Sequence, residues 1–178
     1  LAELGAEVID ADAIVRELQA PGQPVLAAMV ERFGPAIVDG RGELRRQAVA
    51  DLVFGDDAAL ADLNAIVHPA VGEEIARRLA AEAETDHVVV LDVPLLVESG
   101  RDDLAGLVVV DVDPDVAVER LGSHRGFDQA DARARVARQA SRADRVARAD
   151  VVIDNHGTLE DLAAQVDEAW RWIEGLRG

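Results

Sequence analysis

The run Val88-Val89-Val90-Leu91-Asp92-Val93-Pro94 constrains this chain more than any other stretch. Its consecutive, mostly β-branched apolar residues are too few for a helix and predict a short strand buried on both faces. The run ends on a carboxylate, and Pro94 stops the hydrogen-bonding ladder two residues later. In an open α/β sheet that point is the carboxyl edge, where ligands bind. Val8-Ile9-Asp10-Ala11-Asp12 repeats the pattern near the start. Two strands delivering acids to one edge suggest a site for phosphates held through a metal ion.

Composition excludes several alternatives. The chain has 178 residues, enough for one domain or one domain with a sizeable insertion. Apolar residues make up 49% but aromatics only 3%, so the interior must be filled with Ala, Val and Leu. There is no cysteine, which removes disulfides and thiolate metal sites and makes a reducing cytoplasm the natural setting. No apolar run approaches the roughly eighteen residues of a membrane span. A net charge of −17 disfavours nonspecific binding to nucleic acid or anionic membrane. All 18 basic residues are arginine, so any chemistry that needs a lysine must find it outside this chain.

The order of elements predicts an α/β fold, with a parallel sheet wrapped by helices. Leu1–Leu4 before Gly5 reads as a final helical turn closed by glycine, so the true start is expected upstream. Strands are predicted at 7–10, 88–92, 107–113 and 150–154, with helices over 13–19, 45–54 and from 58 onward. Pro69 is expected to kink or divide that last helix. Pro114 opens a helix running to about Leu121, residues 128–148 form a charged helical stretch, and Thr158 with Asp161 caps a closing helix. The first two strands are separated by more residues than one crossover needs. Residues of about 21–80 are therefore expected to form a helical insertion that builds a substrate pocket or a structural cap.

Several side chains are candidates for chemistry. Asp10 and Asp12, two apart at a strand end, face one ligand if the chain stays extended; alternatively Asp12 caps the following helix. Asp92 either holds a metal-bound water or is a buried acid satisfied by backbone amides. Between Arg120 and Arg148 there are eight arginines and three aspartates. Guanidinium forks suit phosphate oxygens, so an anion-closing lid over about 122–148 is expected, against the alternative of a solvated, ion-paired helix. His68 before Pro69 either orients a substrate or is structural. Asn155-His156-Gly157 is a turn, or a loop that presents backbone groups to a flat base.

Taken together, these stretches resemble the dephospho-coenzyme A kinase family. The likeness rests on Val8–Asp12 with Arg16, Pro21-Gly22, Phe33-Gly34 and Ile66-Val67-His68-Pro69. It continues through Leu91-Asp92-Val93-Pro94-Leu95-Leu96-Val97-Glu98-Ser99-Gly100, Arg120-Leu121, Gln139-Ala140-Ser141, and Ile153-Asp154-Asn155 with Gly157. It runs in order along essentially the whole chain, and the His-Pro pair together with the Asp-x-Pro-Leu-Leu-x-Glu-Ser-Gly run is specific. The resemblance implies a single kinase domain over 1–178, a P-loop NTPase of the nucleotide-kinase type. Such an enzyme moves the γ-phosphoryl of ATP, with magnesium, onto the ribose 3′-hydroxyl of dephospho-coenzyme A.

By the same resemblance Asp12 is the base for that hydroxyl and Arg120 stabilises the phosphates. Asp10, Arg16, His68, Pro69, Asp92, Leu95, Leu96 and Glu98 fall on the acceptor side. Arg138, Asn155 and Gly157 fall on the ATP side, with Arg133 and Arg142 as further lid arginines. Asp92 is also the candidate for contact with magnesium carried by ATP.

The family's glycine-rich phosphate loop, G-x-x-x-x-G-K-[ST], has no counterpart here, and the chain has no lysine. The expectation is a chain lacking the family's first strand and phosphate loop, and inactive as it stands. Three other readings remain. One is a haloacid-dehalogenase-type phosphatase using Asp10 and Asp12. The others are a non-catalytic binder of coenzyme A-like ligands and another small-molecule kinase of the same fold.

Overall fold

The protein is described by a computed structural model over residues 1–125, 128–137 and 139–176. The chain folds into two compact units, Ala6–Val93 and Leu1–Gly5 with Pro94–Gly178.

In Ala6–Val93, β1 (Glu7–Asp10) runs directly into α1 (Ala11–Leu18), followed by α2 (Pro24–Phe33), α3 (Arg46–Val53), α4 (Asp57–Glu82) and β2 (Val89–Asp92). The strands pair in parallel, Glu7 with Val89 through to Asp10 with Asp92. The crossover between them carries the helical residues that the sequence predicts. Pro24 opens α2 at a position where its missing N–H costs nothing, and Val25, Leu26 and Met29 turn inward. The turn at Asp39–Gly42 forms as expected: the Asp39 carboxylate accepts from the amides of Arg41 and Glu43, at 2.8 and 3.0 Å.

Pro69 neither divides nor ends α4, which is one helix of 26 residues and so runs about 39 Å. A proline in a helix interior removes one backbone bond and costs about 3 kcal/mol. The helix persists because it is anchored on both sides of the proline. Val67 belongs to an apolar cluster with Val25, Met29, Ile37 and Val49, while Ile75 belongs to another with Ile9, Ala11 and Ile14. Val71 touches both. Asp56 caps the helix start, accepting from the Ala59 amide at 2.9 Å.

Two strand-level expectations are corrected. β2 is not buried on both faces: Val89, Val90 and Leu91 are half-buried and Asp92 is exposed. Nor do the described strands form one sheet; they form two parallel pairs.

The second pair lies in the other unit, where β3 (Val108–Asp111) joins β4 (Val151–Asp154), with Val108 opposite Val151 and Asp111 opposite Asp154. This unit also holds α5 (Leu96–Ser99), α6 (Pro114–Arg125), α7 (Gln129–Ala137), α8 (Arg142–Arg148) and α9 (Leu159–Gly175). Pro114 begins α6 as expected, but the charged stretch 128–148 is two helices. The break is at Ser141, whose hydroxyl accepts from the Asp144 amide at 3.1 Å and caps α8. Thr158 and Asp161 form the predicted reciprocal cap on α9. At Leu1–Leu4 the expected turn is a 3-10 helix closed by Gly5 at φ 103°. The buried residues Val109, Val118, Ala132, Ile153 and Ala169 supply the interior of this unit.

Met29 has no exposed surface. Met29→Ala should therefore destabilise Ala6–Val93 by about 2–5 kcal/mol, the usual cost of a core truncation. Phe54→Ala, at a side chain 89% exposed, should stay within about 0.5 kcal/mol. Chemical denaturation of the two variants checks both.

Candidate active site

Each described strand ends on an aspartate, and register sets these acids side by side: Asp10 beside Asp92, Asp111 beside Asp154. Four carboxylates at strand ends need compensating charge or hydrogen bonds, and they receive it unequally.

Asp10, not Asp12, caps α1. Its Oδ1 accepts from the Ala13 amide at 2.9 Å, and Arg16 stands 3.6 Å from its other oxygen. Asp12 lies in the first helical turn, so the extended Asp10/Asp12 pair of the sequence reading does not form. The helix starts immediately after Asp10 because burying Ala11 and Ile14 against α4 and β2 favours coiling at once. Among the described residues no hydrogen bond or ion pair engages the Asp12 or Asp92 side chain. Asp92 is solvent-accessible as a residue, yet neighbouring atoms remove enough water from its carboxyl to raise its pKa. The charges of Asp10 and Asp12 push it in the same direction. Among the described residues no backbone amide satisfies the Asp92 carboxyl, contrary to one of the two sequence readings.

On α4, His68 and Pro69 are exposed. His68 borders a cavity of about 270 Å³ whose wall includes Met29, Val49, Asn64 and Val67. Buried Gln19 lies on the same wall and accepts a 3.0 Å bond from Arg46. Sequence reading missed Gln19, Arg46 and Asn64, because no local pattern marks a polar residue on a cavity wall. The turn-rich break after Gln19 was the available signal.

In the other unit, the arginines that look unpaired in the linear count have partners elsewhere. Arg142 grips buried Asp111 through Nε at 2.9 Å and through a terminal nitrogen at 2.6 Å, which holds that carboxyl below the usual aspartate range. Arg145 donates to the Gln139 side chain and the Ala140 carbonyl, at 2.8 and 3.1 Å. Arg148 donates to the Val97 carbonyl at 2.7 Å. Arg133 is exposed on α7, and Arg138 lies outside the described residues. Leu95 is exposed and Leu96 half-buried at the start of α5. The Glu98 carboxylate accepts from the Ala140 amide, tying α5 to the loop before α8.

Arg120 and Asn155, read separately from sequence, come together: the guanidinium donates to the Asn155 carbonyl at 2.8 Å. Asp154 is engaged by His156, which lowers its pKa. A Cβ at Gly157 would lie 2.7 Å from an Asp161 carboxylate oxygen, so a side chain there would push Asp161 from its place in the α9 cap.

Among the described residues no three His, Cys, Asp or Glu side chains cluster as a ready metal site. Asp92, whose carboxyl has no hydrogen bond or ion pair among the described residues, nonetheless fits magnesium brought by a nucleotide. That ion keeps several waters and uses one or two carboxylates besides the phosphates. The unfavourable ionisation of Asp92 is what a nearby cation would relieve.

Parallel strand pairs with acids at their carboxyl ends, a helical crossover and an arginine-rich segment define an α/β protein of the nucleotide-kinase type. A crystal structure from Thermus thermophilus matches with a TM-score of 0.75 at 30% identity, covering 96% of this chain and 86% of that one. The sequence profile of the dephospho-CoA kinase family matches residues 1–161. The dephospho-CoA kinase of Thermobifida fusca is 47% identical over 98% of this chain and 87% of its own length. That of Streptomyces avermitilis is 49% identical over 96% and 83%. The chain belongs to the dephospho-CoA kinase family and is a phosphoryl-transferring enzyme.

The strand-end charges yield two predictions. NMR titration should find Asp92 above the ordinary aspartate value of 3.8, and Asp10→Asn should bring it down by removing one of the raising charges. An acid raised by folding favours the folded state at low pH, and that contribution fades as pH climbs through its folded pKa. Asp111 has the opposite sign, its stabilisation being present above 3.8 and lost as pH falls through its lowered value. Arg142→Ala should therefore lower the Tm at neutral pH, and the gap to the unaltered protein should narrow on acidification.

Proposed function

We propose that the residues described above serve ATP-dependent phosphorylation of the ribose 3′-hydroxyl of dephospho-coenzyme A, the closing step of coenzyme A synthesis. The observation that carries the reading is the parallel register of Asp10 with Asp92. It sets these two acids side by side at the strand ends, with Asp12 of α1 near enough for its charge to act on Asp92, and Asp12 and Asp92 have no hydrogen bonds or ion pairs among the described residues. Asp10 is committed to the helix start and Arg16, so Asp12 is the acid able to accept the hydroxyl proton.

Magnesium, when bound with ATP, supplies charge neutralisation at the phosphates, and Asp92 is the residue to hold its water. Arg120 stabilises negative charge that builds on the transferring group, with its guanidinium oriented by the Asn155 carbonyl. Asn155 and Gly157 bound the adenine, and Arg138 belongs to the same ATP side. His68, beside the cavity in the helical residues 21–80, and Pro69, Leu95, Leu96 and Glu98 are each assigned to binding of the acceptor. Arg142 works differently from a lid arginine, because it is committed to Asp111. The phosphatase reading loses support because the Asp10 carboxylate is held by the helix cap, away from the role of a nucleophile.

With the gene product, Asp12→Asn should lower kcat by roughly 10²–10⁴, the scale of a lost general base, with little change in the KM for dephospho-coenzyme A. An unchanged kcat would reduce Asp12 to a helix residue. Arg120→Ala should lower kcat, and an effect confined to acceptor KM would remove it from the phosphates. Turnover of dephospho-coenzyme A should exceed that of nucleoside monophosphates; the reverse order would assign the acceptor site to another small-molecule kinase.

A further inference from the structure

The roles above leave His156 unused, yet both nitrogens of its ring are engaged. Nδ1 meets the Asp154 carboxylate, and Nε2 lies 2.8 Å from the backbone nitrogen of Asp113. A backbone N–H can only donate, so Nε2 must present its lone pair. The ring proton therefore sits on Nδ1, where Asp154 accepts it. Such bonding defines the neutral Nδ1–H tautomer, since a doubly protonated ring would set one N–H against another. The same loop is fixed on either side. The Asn155 amide donates to the Asp111 carbonyl at 2.8 Å, and Gln165 of α9 accepts from the Asp154 amide at 2.7 Å. His156 thus ties the exit of β3 to the exit of β4 beside the carbonyl that receives Arg120.

We propose that neutral His156 is a positioning residue that holds Asn155–Gly157, and through Asn155 the Arg120 guanidinium, in the arrangement that takes ATP. This rests on the assignment of that loop and Arg120 to the ATP side. The charged groups facing the ring are Asp154 on its own loop, Asp111 and Asp113 from β3 and its exit, and Arg142 of α8, which neighbours all three acids. Arg145 acts on Asp111 from the same helix. Removing the ring acceptor at Nε2 takes away the directed bond from the Asp113 amide and frees the strand exits from each other. ATP affinity then falls while the fold stays intact.

Long-range ¹H–¹⁵N NMR of the histidine-labelled protein should find Nε2 unprotonated at neutral pH, with the Asp113 amide protected from exchange. The protection should be lost in His156→Ala. A non-hydrolysable ATP analogue with magnesium should bind His156→Ala about three- to tenfold more weakly at mildly alkaline pH, the scale of one directed hydrogen bond. His156→Gln, which keeps a side-chain acceptor, should retain the affinity that His156→Ala loses. A proton on Nε2 at neutral pH overturns the proposal, as does equal analogue affinity in the unaltered protein and His156→Ala. If NMR finds the tautomer and the protected amide but the analogue binds at no pH, the tie between the strands stands and the ATP assignment of the loop falls.

Discussion

Compensating a carboxylate at the end of every described strand is the constraint around which the rest of the structure is arranged. Asp111 is buried and Asp92 partly desolvated, where an uncompensated charge is costly, while Asp10 and Asp154 keep much of their side chains in solvent. Asp10 takes a helix N-terminus and an arginine, Asp111 takes a two-point grip from Arg142, and Asp154 takes His156. Asp92 takes no such partner among the described residues, and its raised pKa records the deficit. Under the function proposed above, that is the acid left to meet a cation arriving with its nucleotide.

The helices between β1 and β2 are arranged around α4 in a similarly economical way. One helix serves two apolar clusters, with Val67 and Ile75 on either side of Pro69 and Val71 shared. Strands β1 and β2, which end on Asp10 and Asp92, and the start of α1 that carries Asp12 pack on the later part of this helix, and the cavity beside His68 lies on the earlier part. Glu74 of α4 is bridged by Arg77 and Arg78, which hold its pKa down to about 2; Arg78 also reaches Glu17 of α1. The acids of β1 and β2 and the His68 wall are thus attached to the same stiff element.

Much of this is legible in the sequence, and the misses have a common cause. Short β-branched runs ending in aspartate mark the strands, and Pro114, Thr158 and Asp39–Gly42 mark boundaries by local chemistry alone. The surplus of arginine between 120 and 148 is plain as a count but not as a structure. The acid that Arg142 binds lies 31 residues upstream on β3, and the group that Arg148 binds is a carbonyl 51 residues away. Asp12 reads as a possible cap because it precedes a helical pattern. Burial of Ala11 and Ile14 starts that helix two residues earlier and gives the cap to Asp10. Pro69 reads by its local preference as a break, which packing on both sides of it outweighs.

The sequence by itself determined the alternation of strands and helices, the acid at each strand end, the helical character of residues 21–80 and the kinship to dephospho-CoA kinases. These rest on local backbone preference and on residue order, which are written along the chain. Only the tertiary structure decided which carboxylates are neutralised, which arginines are committed to the fold, and which histidine links two strand exits. Charge compensation and hydrogen bonding act through space between groups far apart in sequence, so no window along the chain contains both partners.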